Sequence, residues 1–142
     1  MTERNVLISV RTVQLVPGER PDVMELQSAG KLRKYPDRTE LSYEETEMTG
    51  LDGVTTTFTV YGSEKMMLTR DGEKLKNKMV FRLGEKTDSL YDVGFGALLI
   101  SVSTQQIKVD LDKGEFFVEY TVEVEHTHMG INSYFVSFRY TD

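Results

Sequence analysis

Apolar and polar side chains alternate with a period of two residues along most of this chain. The clearest stretch runs from Glu115 to Glu125, where alternate positions are apolar: Phe116, Val118, Tyr120, Val122 and Val124. The positions between them carry glutamates and a threonine, interrupted only by Phe117. Successive side chains of a β-strand point to opposite faces of the sheet, so the pattern predicts a strand with one buried and one hydrated face.

Shorter segments with the same alternation are separated by turn signals. These signals are Pro17-Gly18, Pro36-Asp37, Asp52-Gly53, Gly62-Ser63, Asp71-Gly72, Gly84-Glu85, Gly94-Phe95-Gly96, Asp112-Lys113-Gly114 and Met129-Gly130. No long helical stripe interrupts them, and short connections favour antiparallel neighbours. The chain therefore predicts a meander of about ten strand segments.

A slip in the phase of the alternation predicts a β-bulge near Gln105-Gln106. Apolar residues occupy even positions before the slip, at residues 98–102, and odd positions after it, at residues 107–111. One extra residue restores the phase, which is what a bulge provides. If residues 112–115 connect the two strands of this hairpin, Leu111 pairs with Phe116, Val109 with Val118 and Ile107 with Tyr120.

An open meander of this many strands would leave two unpaired edges, and closure removes them. We therefore expect an all-β fold, a single closed antiparallel up-and-down β-barrel of about eight to ten strands that forms one domain over residues 1–142. A sandwich of two sheets is the structural alternative.

Composition narrows the class of protein further. The chain has 142 residues, no cysteine and a formal net charge of -6. An acidic surface disfavours nucleic acids and anionic membranes as partners. The absence of cysteine fits a reducing compartment, and no apolar run of signal-peptide or membrane-spanning type occurs. We expect a cytoplasmic protein of bacterial or archaeal type.

Several short motifs of the chain have an order and spacing similar to those of a known protein family. They are residues 66–72, with an Arg-x-Gly element, then residues 79–81, Tyr91, residues 95–107, 111–114 and 120–122. Together they resemble the YwiB-like family of small bacterial proteins, a domain of unknown function. The resemblance implies a calycin, lipocalin-like barrel. It does not imply the activity of secreted ligand carriers, because fold and function separate readily and the Gly-x-Trp of lipocalins is missing here.

Side chains that carry catalytic or metal chemistry are sparse. His126 and His128 form the one histidine pair, which we interpret as a solvated hairpin tip rather than a metal site. The carboxylates of residues 40–47 and 115–125 are interpreted as the hydrated face of the sheet, and no serine has a nucleophile elbow or an obvious base. We therefore expect no enzyme activity, no cofactor and no metal.

Arg70 and Tyr120 are the candidate ligand-binding residues. Arg70 shares a predicted strand face with Met66 and Leu68, where a guanidinium needs a carboxylate partner or an anionic ligand. The structural interpretations are an ion pair or a rim position where the side chain reaches water. Tyr120 offers a hydroxyl group on the apolar face, which is also compatible with hydrogen-bonded core.

Two functions from different classes follow. The first is a non-enzymatic module that binds a small apolar or amphipathic ligand, with an anionic group met by Arg70. The second is an interaction or assembly protein with a filled barrel, which docks a protein partner or forms a homo-oligomer. That docking would use the acidic faces of the barrel or the aromatic residues of the last strand, which are Tyr134, Phe135, Phe138 and Tyr140.

Overall fold

The computed structural model describes residues 1–73, 75–92 and 94–142. In these ranges the chain forms ten strands and one short 3-10 helix, η1 (Glu47–Thr49). The strands are β1 (Thr2–Leu15), β2 (Asp22–Lys34), β3 (Thr39–Glu44), β4 (Thr55–Val60), β5 (Lys65–Asp71), β6 (Lys76–Arg82), β7 (Lys86–Asp92), β8 (Ala97–Asp110), β9 (Glu115–Val124) and β10 (Thr127–Tyr140). Each pairs antiparallel with its neighbour in sequence, and β1 pairs with β10. The predicted closed up-and-down barrel is confirmed, and the two-sheet sandwich is excluded.

Because successive strands alternate in direction, the barrel has two distinct ends. We call the end that carries both termini the base; it also carries the β2–β3, β4–β5, β6–β7 and β8–β9 connections. The other end, which we call the mouth, carries the β1–β2, β3–β4, β5–β6, β7–β8 and β9–β10 connections.

Apolar side chains fill the barrel from the base upward. Phe58, Phe81 and Leu68 have no exposed surface. Phe58 makes edge contacts with Phe116 and Tyr134, at ring-centroid distances of 5.6 and 5.5 Å. Such pairs add to the hydrophobic gain of burial, so this part of the barrel is a packed core.

The predicted bulge is confirmed in β8. Thr104 faces Tyr120 and Gln106 faces Glu119, so Gln105 is the additional residue. The bulge lets the apolar positions on both sides of it point into the barrel.

The predicted register of the β8–β9 hairpin is wrong by two residues. Phe116 faces Val109 rather than Leu111, and Val118 faces Ile107 rather than Val109. The turn consists of Leu111–Gly114, closed by a 3.1 Å hydrogen bond from the Gly114 N–H to the Leu111 carbonyl. Gly114 has a φ of 72°, which glycine adopts without strain. Leu111 is thus part of the turn, and Tyr120 pairs with Thr104 instead of Ile107.

Met129-Gly130 is not a turn, contrary to the prediction from sequence. The β9–β10 turn is formed by Glu125 and His126, whose φ values are 50° and 69°. Gly130 lies inside β10 at a shift of register between His128 and Ile131. A Cβ atom there would lie 2.3 Å from the Leu15 carbonyl oxygen, so the close approach requires glycine.

The aromatic residues of β10 differ in burial, since Phe135 has the outward phase and Tyr140 ends the strand at the base. Tyr134 and Phe138 point inward and are buried, whereas Phe135 and Tyr140 are exposed. The expectation that all four form a docking surface is therefore wrong, because Tyr134 and Phe138 are part of the barrel interior.

Two seams of the barrel are only partly paired. β2 pairs with β3 only through Lys31–Lys34, although β2 itself is 13 residues long. β6 and β7 share a single registered pair, Lys76 with Asp92. The remaining eight neighbouring pairs of strands have longer ladders in the described residues.

Candidate anion site at the barrel mouth

Arg70 points into the barrel, as its phase with Met66 and Leu68 predicts. It lies on β5 one step nearer the mouth than Leu68, in register with Thr56 of β4 and Asn77 of β6. Met66 and Leu68 are fully buried below it. The guanidinium therefore stands above the apolar core.

The guanidinium is only partly satisfied by hydrogen bonds. Its Nη2 donates to the hydroxyl oxygen of Tyr134 at 3.1 Å, while its Nε is buried without a partner. Among the described residues, no carboxylate forms an ion pair with Arg70. A buried N–H of a charged group without an acceptor costs about 1–3 kcal/mol or more. The ion-pair interpretation of Arg70 thus has no partner in this structure.

The guanidinium of Arg70 stays charged at neutral pH in spite of its burial. Burial disfavours the charged form of Arg70, but Tyr134, Tyr91 and Tyr43 outweigh it, and the pKa of the guanidinium is raised above its ordinary value. Burial, together with Tyr134, raises the pKa of Tyr120 well above its ordinary value, although Arg70 acts in the opposite direction. At neutral pH a cation therefore faces neutral phenols.

Tyr120 points inward and is buried, in agreement with the prediction from sequence. Its ring stacks on that of Tyr134, with centroids 6.2 Å apart and planes inclined by 13°. The hydroxyl oxygen of Tyr134 accepts from Arg70, so its own O–H proton is not used in that bond. One O–H of the pair remains to donate to another acceptor.

A small pocket leads from the mouth to these two phenols. Its volume is about 200 Å³. Its lining residues come from β1, β2, β9 and β10: Thr12, Val13, Gln14, Asp22, Met24, Tyr120, Asn132, Ser133 and Tyr134. The Nδ2 of Asn132 is buried without a partner. The inner end of the pocket therefore presents hydrogen-bond donors, and its one carboxylate, Asp22, is exposed at the start of β2.

Apolar side chains surround the way into the barrel. Met24 and Leu98 are 44% and 39% exposed at the mouth, and Leu26, Val122 and Val124 are partly buried below them. The arrangement is amphipathic, with apolar side chains near the opening and two phenols at the inner end, of which Tyr134 carries the guanidinium of Arg70 on its hydroxyl group.

Glu45 is a buried carboxylate that the sequence interpretation placed wrongly on the hydrated face. Only 7% exposed, it accepts hydrogen bonds from the hydroxyl groups of Thr49 and Thr56, each at 2.9 Å. It also adds to the effect of burial in raising the pKa of Tyr43. The signal was present in the alternation, because residues 41, 43 and 45 share one phase. Hydroxyl groups satisfy this carboxylate, so it does not serve as the ion-pair partner of Arg70.

The other candidate groups do not line this pocket. His126 and His128 are exposed at the β9–β10 hairpin, which confirms the solvated hairpin tip. The part of the chain that the structure describes contains no group of three or more His, Asp or Glu side chains that could hold a metal ion. It also contains no helix long and apolar enough to cross a membrane.

Comparison with known proteins identifies the family. Residues 8–135 match the domain of unknown function DUF1934. The chain belongs to this family. The fold is similar to the crystal structure of the ywiB protein from Bacillus subtilis, with a TM-score of 0.81 and 23% sequence identity over 99% of this chain and 94% of that one. The predicted membership of the YwiB-like family is thus confirmed, while no curated protein matches the chain.

Proposed function

We propose that this DUF1934 protein is a cytoplasmic, calycin-like and non-enzymatic module that binds a small amphipathic carboxylic acid in the mouth of its barrel. The carboxylate of the ligand lies against Arg70, and its short apolar part lies between the side chains that line the opening. The single observation that carries the proposal is the buried Nε of Arg70, which has no acceptor.

An anionic ligand pairs with the charge of Arg70 and accepts its hydrogen bonds, which a neutral ligand does less well. A buried charge is stable when it is paired and fully hydrogen-bonded. Carboxylates bind the planar guanidinium through two parallel hydrogen bonds. Nε and Nη2 form one edge of the guanidinium, and Nη2 has a second proton besides the one given to Tyr134. The free phenol proton and the Nδ2 of Asn132 are further donors.

The size of the pocket limits the ligand to a small molecule. A volume of about 200 Å³ corresponds to six or seven water molecules, since each occupies about 30 Å³ in the liquid. Typical pockets for larger ligands hold about 300–1,000 Å³. A short-chain acid fits this space, and its one formal charge matches that of the Arg70 guanidinium bound to Tyr134.

Isothermal titration with hexanoate tests the proposal, with hexanol as the neutral analogue and inorganic phosphate as a second oxyanion. We expect saturable binding of hexanoate, at least tenfold weaker binding by Arg70→Met, and no binding of hexanol. Arg33→Met is the matched control, because Arg33 lies on the outer face and pairs with Glu3 at 2.7 Å. Equal affinity of the wild type and Arg70→Met would contradict the proposal, and phosphate binding as tight as that of hexanoate would contradict its amphipathic part.

A docking function stays as the second candidate, on a smaller surface than the sequence predicted. Phe135 is 42% exposed and faces Phe117 across the β9–β10 ladder. Both line an outer depression of about 350 Å³. If this aromatic pair mediates self-association, sedimentation will show an oligomer in the wild type and a monomer for Phe135→Ser.

A further inference from the structure

One side of β2 has no partner strand over much of its length. The strand pairs with β1 from Asp22 to Lys34 but with β3 only from Lys31 onward. At the β2–β3 turn the Tyr35 N–H donates to the Arg38 carbonyl at 2.8 Å. Main-chain groups of alternate residues point to the same side of a strand. The odd-numbered residues 23–29 therefore direct their N–H and C=O groups toward a place where no strand of the described chain lies.

Local geometry explains why β3 leaves β2 at this position. A Cβ atom on Gly30 would lie 2.4 Å from the Ser42 carbonyl oxygen, so the β3 backbone crosses close over the inner side of β2. Beyond this crossing the chain follows β4, where the Glu45 N–H donates to the Val54 carbonyl at 2.8 Å, and then enters η1. The crossing at Gly30 thus separates β3 from the rest of β2 and leaves that edge open.

A groove runs along the open edge. It consists of two adjoining parts of about 580 and 900 Å³, which share Ser28 and the residues 43–46. One wall is the edge of β2, and the other is the segment from Tyr43 to Thr49. The carbonyl of Ala29 accepts a 2.9 Å hydrogen bond from the hydroxyl of Ser28, which substitutes locally for a missing strand.

The second partly paired seam differs, because other groups use its free main-chain atoms. Between β6 and β7 the hydroxyl of Thr87 donates to the Val80 carbonyl. At the turn between these strands, the Gly84 N–H donates to the Thr104 carbonyl at 3.0 Å and the Thr104 N–H donates to the Glu85 carbonyl at 3.2 Å, so β8 closes that end of the seam. Exposed main-chain groups on a strand edge are a template for another strand, and the open edge of β2 is the less satisfied of the two seams.

We propose that the groove beside β2 binds an extended basic peptide, which adds to the barrel as a further strand. Side chains on the outer side of the groove are acidic, namely Glu25 on β2 and Glu44 on β3. On the inner side, Leu26 and Tyr43 are apolar. A peptide that alternates basic and apolar residues presents its cations to the two glutamates and its apolar side chains to Leu26 and Tyr43.

The charges of the groove favour a basic peptide over an acidic one. Of the cations close to it, Arg33 pairs with Glu3 at 2.7 Å, and Lys31 donates to the Oδ1 of Asn5 at 2.7 Å. Arg11 lies 3.5 Å from Glu25 in an exposed pair, which is weak enough for a peptide cation to share Glu25. In the ranges that the structure describes, Glu44 has no ion-pair partner. Main-chain hydrogen bonds supply affinity in strand addition, and side chains at alternate positions supply specificity. This proposal does not depend on the anion site at Arg70.

Titration with a blocked peptide of alternating lysine and valine, as long as the open edge, tests the proposal. The peptide with glutamate in place of lysine is its control. We expect saturable binding of the lysine peptide, at least tenfold weaker binding of the glutamate peptide, and a similar loss with Gln27→Pro. The N–H of Gln27 points to the groove, so proline removes a donor for the peptide and leaves the β1 ladder intact.

A second variant covers the case in which Gln27→Pro does not fold. In the double variant Glu25→Lys/Glu44→Lys, the preference between the two peptides is expected to reverse. Equal binding of both peptides, or binding that Gln27→Pro and the double variant leave unchanged, overturns the proposal. Slow, concentration-dependent amide exchange at residues 23–29 without peptide also overturns it, because a second copy of the chain would then occupy the edge.

Discussion

The base and the mouth of this barrel are built from the same strands and the same alternation, but their inward side chains differ. Toward the base the inward positions are apolar and fully buried, as at Phe58 and Phe81. Toward the mouth polar side chains stand among the apolar ones, as at Thr12, Gln14, Arg70, Asn77 and Asn132. Buried polar atoms without partners lie at three of these residues, namely Arg70, Asn77 and Asn132.

The difference indicates that the base of the sheet mainly stabilises the fold and that the mouth is the place for a binding site. Packing at the base holds the barrel closed, whereas the mouth keeps donors that the protein itself does not satisfy. Sites that break local rules of satisfaction are where function is expected.

Truncation of the core at the base has the largest expected effect. Phe58→Ala removes a fully buried ring that contacts Phe116 and Tyr134. We expect the free energy of unfolding to fall by about 3–5 kcal/mol. Phe135→Ala, on the outer face of β10, is the control and should change it by less than about 1 kcal/mol. Denaturant unfolding measures both, and similar values for the two variants would remove the distinction between core and surface.

Arg70→Met is expected to behave in the opposite way. Replacement of a buried unpaired charge by an apolar side chain of similar length should leave the free energy of unfolding unchanged or raise it, by about 1–4 kcal/mol at most. Binding of hexanoate should be lost in the same variant. A loss of about 3–5 kcal/mol, the cost of breaking a buried ion pair, would show that Arg70 is structural. Arg82→Met on the outer face is the control for the change of charge.

Tyr134→Phe should make the free energy of unfolding depend on whether the proposed site is occupied. The variant removes the acceptor of the Arg70 Nη2 and leaves a second donor of the guanidinium unsatisfied, at a cost of about 1–3 kcal/mol. A bound carboxylate replaces that acceptor, so the destabilisation should shrink when unfolding is measured in saturating hexanoate. An unchanged destabilisation in hexanoate would place the ligand away from Arg70.

Alkaline pH should lower the free energy of unfolding, because of the buried tyrosines near the mouth. Burial raises the pKa of Tyr43 and of Tyr120, so the folded state keeps both phenols neutral. Their contribution to stability is fully present below the unfolded pKa near 10 and is lost as the pH rises above it, by up to about 1.4 kcal/mol per group and pH unit. Urea unfolding just below and just above pH 10 measures the slope, and Tyr43→Phe should reduce it. The same slope in that variant would contradict the assignment.

Much of the fold could be predicted because alternation reports directly on burial. The strand from Glu115 to Glu125 and the bulge at Gln105 both follow from the phase of apolar positions. The register of the β8–β9 hairpin does not follow from this phase. It depends on whether Leu111 belongs to the strand or to the turn closed by Gly114. The phase of a strand is the same for registers that differ by two residues.

The site could be predicted only in part. The phase of β5 correctly placed Arg70 inside the barrel, and that of β9 placed Tyr120 there. Tyr134 as the partner of Arg70 could not be predicted, because the two residues are 64 positions apart and meet across the barrel. The burial of Glu45 depends on hydroxyl groups of Thr49 and Thr56, which only the bend after β3 brings together.

We propose that the Nε–H of Arg70, which has no acceptor in the protein, donates to an anionic ligand. The most direct measurement is the NMR signal of that group during titration with hexanoate, with the Nε–H of Arg33 as an internal control. The account predicts a saturable shift at Arg70 alone, with slower exchange of its proton with water, and no such shift with hexanol. An Arg70 signal that does not respond to hexanoate, or that responds equally to hexanol, would contradict it.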